Sequence, residues 1–153
     1  MKYNPKDAVR LLPAGKYAAT VAAVYDAVSK SGKEMVVVEI DVWAGDAPVR
    51  LKEYITADGI WKLKTIAKAL GRLEAFESST EVNAADYVGY GCAVELTVEE
   101  GKNGYDDQNR IKKYHAATAD TAPPKVNYQE LAAAKAAASN LASAPVGDGD
   151  IPF

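Results

Sequence analysis

The sequence predicts a mainly-β protein: a small five-stranded barrel with one helix between its third and fourth strands, followed by a disordered or partly helical C-terminal tail. Three observations carry this. Up to about residue 118, β-branched and aromatic runs alternate with polar turns, the pattern of strands joined by hairpins. One stretch, Gly59 to Leu70, has apolar residues at helical spacing. From residue 119 on, Tyr128 and Phe153 are the only aromatics and alanine, proline, serine and glycine accumulate, so this part buries too little apolar surface to join a core.

Pro13-Ala14-Gly15 marks a loop, and Lys16 to Val28 reads as a long curved first strand. Tyr17, Val21 and Tyr25 share one parity in it; Val24 and Val28 share the other. Ser29 to Lys33 is a polar turn carrying two lysines. In the second strand, Met35 to Trp43, the residues Val36, Val38, Ile40 and Val42 form one apolar face, with Glu39, Asp41 and Trp43 opposite. After the Ala44–Pro48 turn, the third strand, Val49 to Thr56, sets Val49, Leu51 and Ile55 against Arg50, Lys52 and Tyr54. Asp58 is placed to cap the helix, Ile60, Leu63, Ile66, Ala67 and Leu70 form its apolar stripe, and Gly71 stops it. Trp61, with Lys62 and Lys64 on the helix, offers a second platform, but its expected role is packing against the barrel. Asn83 to Tyr87 fits a single helical turn. The fourth strand is Cys92 to Glu99, a hairpin tip follows over Gly101 to Asp107, and the fifth strand is Asn109 to Ala117. This order suits a small barrel of the OB (oligonucleotide/oligosaccharide-binding) type.

The chain has 153 residues, 48% hydrophobic and 25% charged, enough for one domain with an appendage. The domain is expected over residues 9–118, a flexible linker over 119–147 (with helix-compatible alanines at Tyr128 to Ala138), and a separate tip over 148–153. No apolar run approaches the ~20 residues that span a bilayer, and MKYNPKDAVR has no apolar signal core. A single cysteine, Cys92, excludes an internal disulfide framework, and with a single histidine, His115, it cannot supply a Cys/His zinc site. Net charge is −3, unlike the strongly basic balance common among nucleic-acid binders. The body is nearly balanced, with 16 basic and 17 acidic residues up to Thr118.

The chain ends Gly147-Asp148-Gly149-Asp150-Ile151-Pro152-Phe153. Ile151 and Phe153 flank a rigid proline beside a free carboxylate, and Asp148 and Asp150 add negative charge. Such a piece is a short ligand: its apolar side chains fill a pocket while its carboxylates meet Lys or Arg at the rim. A flexible linker gives it reach.

Asp150-Ile151-Pro152-Phe153 resembles the acidic tip of bacterial single-stranded-DNA-binding proteins, which are OB domains followed by a linker and a tip ending in these four residues. This tip has two aspartates separated by glycine where that family has more acids. The body, from LLPAGKY at residue 11 through GYGCAVELTVEE to Asn109-Arg110-Ile111-Lys112, resembles phage-encoded single-stranded-DNA-binding proteins. The resemblance implies a protein that coats and protects single-stranded DNA during phage replication, recombination or repair in the host cytoplasm. It also implies that Asp148, Asp150, Ile151, Pro152 and Phe153 recruit partners such as an annealing protein, nuclease or helicase, and that the chain is a candidate homo-oligomer.

Gripping single strands without sequence preference takes aromatic faces for bases and cations for phosphates, and local potential matters more than net charge. The residues expected to bind DNA are Tyr25, Lys30 and Lys33 around the first turn and Trp43 on the second strand. The third strand offers Arg50, Lys52 and Tyr54, the hairpin Lys102 and Tyr105. The fifth strand offers Arg110, Lys112 and Tyr114, taken as one parity. Tyr17 and Tyr87 are expected in the core. Glu39 and Asp41, sharing the face of Trp43, oppose a phosphate path.

No phosphate-binding GxxxxGK[ST] loop and no G-x-S-x-G elbow occurs. Glu99-Glu100 and Asp106-Asp107 read as a solvated turn rather than a magnesium site. His115 lacks a nucleophile in any recognisable motif, and Cys92 reads as a small buried hydrophobe. A non-enzyme without cofactor is expected. The alternative is an OB-like adaptor or inhibitor that engages host repair enzymes through the tip without binding DNA.

Overall fold

The computed structural model describes residues 1–2, 11–45, 47–104 and 106–124. Tyr105, the tail helix considered over Tyr128 to Ala138, and the tip residues Asp148, Asp150, Ile151, Pro152 and Phe153 lie outside the described residues.

Five strands form one antiparallel sheet: β1 (Gly15–Val28), β2 (Glu34–Ala44), β3 (Ala47–Thr56), β4 (Gly91–Glu99) and β5 (Gln108–His115). Helix α1 (Ile60–Ala69) and a short helix α2 (Leu73–Glu77) lie between β3 and β4. The spatial order is β3-β2-β1-β4-β5. The mainly-β architecture and the helix position match the expectation. The barrel does not close by hydrogen bonding: β3 and β5 are the two edges of the sheet, with a trough between them. No helix among the described residues is long and apolar enough to cross a membrane.

β1 is the shared strand. It pairs with β2 from Ala18 to Val28 and with β4 from Gly15 to Thr20. An irregularity between Val21 and Ala23 shifts its register against β2, and on its other edge Val21 bonds the 89–90 loop, its N–H donating to Tyr90 O (3.1 Å) and its carbonyl accepting from Gly89 N (2.9 Å). One extra residue bends a strand and reverses the side-chain alternation beyond it. Val21 is therefore fully buried while Tyr25, four residues on, stands 41% exposed. The expected shared parity of Tyr17, Val21 and Tyr25 fails for this reason.

The core lies on the inner face. Val21, Val38, Ile40, Val42, Ile55 and Val94 meet Leu63 and Ile66 of α1, all essentially inaccessible. Each such side chain contributes roughly 1.5–3 kcal/mol by leaving water. Asp58 does not cap α1: it sits in a 3-10 turn, Ala57–Gly59, and the helix N-cap is Gly59, without a side-chain cap. Gly71 does terminate the helix region, at φ +75°, a conformation that only glycine adopts readily. Cys92 is buried, and burial pushes its thiol up to about 12, so it is inert packing. Tyr87 is buried and Tyr17 packs against the core, as expected.

Two tethers extend the body beyond its strands. Leu12 is buried and bound like a strand residue by one side chain: its N–H donates to Asn109 Oδ1 (2.8 Å), and Asn109 Nδ2 donates to its carbonyl (2.8 Å). After β5, Thr118 and Thr121 form a capping box around the 3-10 turn Ala119–Thr121. Pro123 then packs on Gly91, so packing continues past residue 118. A Cβ on Gly91 would lie 2.6 Å from Pro123 Cγ, a clash with a rigid ring. Gly91→Ala is expected to lower stability by about 1–3 kcal/mol, the range for overpacking a filled contact. Urea denaturation checks the loss, and hydrogen exchange should show Thr121 and its neighbours opening while β2 and β3 stay protected.

Candidate nucleic-acid interface

The outer face of the sheet is built in rows across β1, β2 and β3. Tyr25, Val37 and Tyr54 are cross-strand partners, and the next row is Ala23, Glu39 and Lys52. Then come Thr20, Asp41 and Arg50, and last Ala18, Trp43 and Pro48. Strand spacing of about 4.8 Å puts the backbones of Tyr25 and Tyr54 roughly 10 Å apart with β2 between them. Tyr54 is 56% exposed, yet Val37 is only 2% exposed on this same face. The flanking side chains must cover it, which leaves two aromatic surfaces towards solvent. Hydrogen bonding to the Glu39 carboxylate is the main effect raising the Tyr25 hydroxyl above its ordinary value.

Glu39 and Asp41 do share the face of Trp43, as expected, and Arg50 bridges them, offsetting one of their two charges. Its Nε donates to Asp41 Oδ1 (2.8 Å), its Nη2 to Asp41 Oδ2 (3.1 Å) and its Nη1 to Glu39 Oε1 (3.4 Å). Asp41 is 4% exposed, so this fork holds a buried carboxylate. Trp43 is half-buried, and its indole N–H donates to Thr20 Oγ1 (3.1 Å). The cation without an ion-pair partner on these rows, among the described residues, is exposed Lys52.

Beside this face, the trough between β3 and β5 has a volume of about 760 Å³. Val49, Leu51 and Ile111 supply apolar lining; Arg50, Lys52, Lys62 and Arg110 supply positive charge against Glu53 and Asp107. Lys62 lies 3.5 Å from Glu53, and Arg110 Nε donates to Glu99 Oε2 (2.6 Å). Tyr54, Lys52 and Arg50 border both the tyrosine rows and the trough.

The structure thus brings Tyr25, Trp43, Arg50, Lys52 and Tyr54 to one surface, with Arg110 across the trough. It disperses the others. Lys30 is exposed in the β1–β2 turn, and Lys33 in the same turn points towards Asp58 (4.0 Å). Lys102 is exposed in the β4–β5 loop. The single-parity reading of Arg110, Lys112 and Tyr114 is corrected by an irregularity against Glu95 and Leu96, where Arg110 pairs with Thr97 but Tyr114 pairs with buried Val94. Lys112 is the inserted, exposed residue. Tyr114 faces the core, and its hydroxyl is buried without a hydrogen-bond partner among the described residues. Burial first, then the Glu53 carboxylate, pushes its ionisation far up.

Sequence reasoning grouped Lys62 with Trp61 and Lys64 on the helix rather than with β3 and β5, where it lines the trough, and it expected Trp61 packed, whereas Trp61 is 62% exposed. It did not single out Lys16, which with Lys113 of the fifth strand flanks Glu95 on the β4 side. His115 Nε2 bonds Glu95 Oε1 (3.0 Å) and holds that carboxyl below its usual range.

An open antiparallel five-stranded sheet, plugged by a helix between β3 and β4 and bearing an aromatic and cationic outer face, defines a class of small β domain. Within that class the chain belongs to the DUF669 family, described as protein of unknown function, whose model matches residues 1–124. No curated protein matches the chain.

Because Arg50 is committed to Asp41, its loss is expected to act on stability. Arg50→Met should cost about 2–3 kcal/mol in urea denaturation, since it strips a guanidinium from a buried carboxylate. Arg50→Lys should recover only part of this, lacking the planar fork.

Proposed function

We propose that this chain is a single-stranded-DNA-binding protein that coats and protects DNA in phage replication or recombination. Bases stack on Tyr25 and Tyr54, and phosphates follow Lys52 into the trough between β3 and β5. The observation that carries the reading is the pair of exposed tyrosines on either side of Val37 in one cross-strand row, bordered by Lys52 and by the cations of the trough. Stacking platforms beside a cationic groove are what sequence-tolerant single-strand binding requires. The committed salt bridges of Arg50 and Arg110 make these positioning groups, while Lys52 is the cation best able to release counterions. The tip, Asp148 to Phe153, lies outside the family match and supports recruitment of replication or recombination proteins on sequence grounds. An adaptor that binds no DNA is the second reading, favoured by Glu39 and Asp41 on the tyrosine face.

Fluorescence anisotropy with labelled oligo-dT over a range of salt tests the proposal. Salt-sensitive binding at micromolar protein or below is expected; its absence would leave the adaptor. Tyr25→Ala and Tyr54→Ala should each weaken binding roughly 5- to 150-fold, the value of about 1–3 kcal/mol per stacked base. Lys52→Ala should lower the slope of log affinity against log salt by about 0.7. Removing residues 148–153 should leave oligo-dT binding at least intact and abolish capture of partner proteins; loss of DNA binding on that deletion would contradict the division of labour.

A further inference from the structure

A second concave surface has the opposite character. Where β1, β2 and β3 run past the core at the β1–β2 turn, a groove of about 500 Å³ opens against the start of α1 and the loop before the Ala84–Asp86 turn. Val28, Met35, Val36, Ile55, Ile60 and Val82 give it apolar walls. Much of this apolar surface is in water: Val28 is 65% exposed and Ile60 41%, and Trp61 beside Ile60 is 62% exposed. Large apolar side chains clustered around a concavity mark an interaction site on a soluble domain.

The charge around the groove selects the partner. Asp26 and Glu34 lie in its walls. Asp58 falls in the chain between lining residues Ala57 and Ile60, and Glu81 between Thr80 and Val82; both are exposed. The nearby cations are those of the β1–β2 turn, Lys33, 4.0 Å from Asp58, and exposed Lys30. Four carboxylates against the two turn lysines leave a net negative rim, which repels a phosphate backbone. They equally repel the chain's own acidic segment, which carries Asp148 and Asp150. We propose that this groove docks a basic peptide segment of another protein, with one or two large apolar side chains seated between Val28, Met35 and Ile60 and Lys or Arg residues meeting Asp26 and Glu34. This partner binds at a surface separate from the tyrosine rows and is opposite in charge to the nucleic acid proposed for the trough. The surface is therefore available with or without nucleic acid.

The test titrates the isotope-labelled full chain, without DNA, with the synthetic peptide Ac-KKLLKWLKK-amide and with its charge-reversed counterpart Ac-EELLEWLEE-amide, followed by NMR. The basic peptide is expected to bind with a Kd of tens of micromolar, shifting residues 26–28, 34–36, 55–60 and 80–82, while the acidic peptide leaves them unmoved. Asp26→Lys with Glu34→Lys changes only exposed side chains; it should weaken the basic peptide at least tenfold and confer binding of the acidic one. Val28→Ser with Ile60→Ser should weaken it similarly without changing charge. Shifts scattered over the surface, or an affinity indifferent to both double variants, would overturn the proposal. So would a sedimentation coefficient that falls in the Val28→Ser, Ile60→Ser variant, because a second copy would then be the occupant. Oligo-dT anisotropy on the same samples reports separately on the DNA reading, so either can fail while the other stands.

Discussion

One strand serves both halves of the sheet, and the rest of the architecture depends on how it does so. β1 must offer one edge to β2 over most of its length and the other to β4 near its start. A flat 14-residue strand would hold one face inward throughout. The inserted residue between Val21 and Ala23 lets β1 bend, and in bending it exchanges the faces of everything that follows. Val21 then seals the core and Tyr25 reaches the outer surface, opposite Val37 and one strand from Tyr54. A second irregularity, in β5, does the reverse for Tyr114: it turns an aromatic side chain away from the surface and into the core.

Electrostatics divides the surface of a chain whose overall charge is small. Arg50 is spent internally, fixing Asp41 and quieting Glu39, so that the tyrosine face is not a wall of carboxylates. Cations gather at the trough through Lys52, Lys62 and Arg110, while Asp26, Glu34, Asp58 and Glu81 gather around the apolar groove at the other end of β1. A balanced composition thus yields a trough lined mainly by cations and a groove bordered mainly by carboxylates, a division that net charge does not reveal.

The edges of the sheet are guarded rather than joined. An unpaired edge strand invites another chain. Here β3 turns Glu53 inward to meet Lys62, a charge that would be stranded if a neighbour's apolar strand covered it. On the opposite edge, Asn109 uses its side-chain amide to hold Leu12 alongside β5, supplying the hydrogen bonds that a missing strand would have made.

Strand periodicity, turn residues and the stripe on α1 were enough to read five strands, one helix and their order from the amino acids alone, because alternation and helical spacing are local properties. The same holds for buried Tyr87 and Cys92 and for β3's outward Arg50, Lys52 and Tyr54, where no inserted residue disturbs the alternation. What folding in three dimensions decided is non-local. It left β3 and β5 apart, turned Tyr25 out and Tyr114 in, tied Arg50 to Asp41, and brought Lys62 from a helix to the trough. Each of these depends on which strand lies beside which and on a single residue of slippage between them, and neither is written in any short stretch of chain.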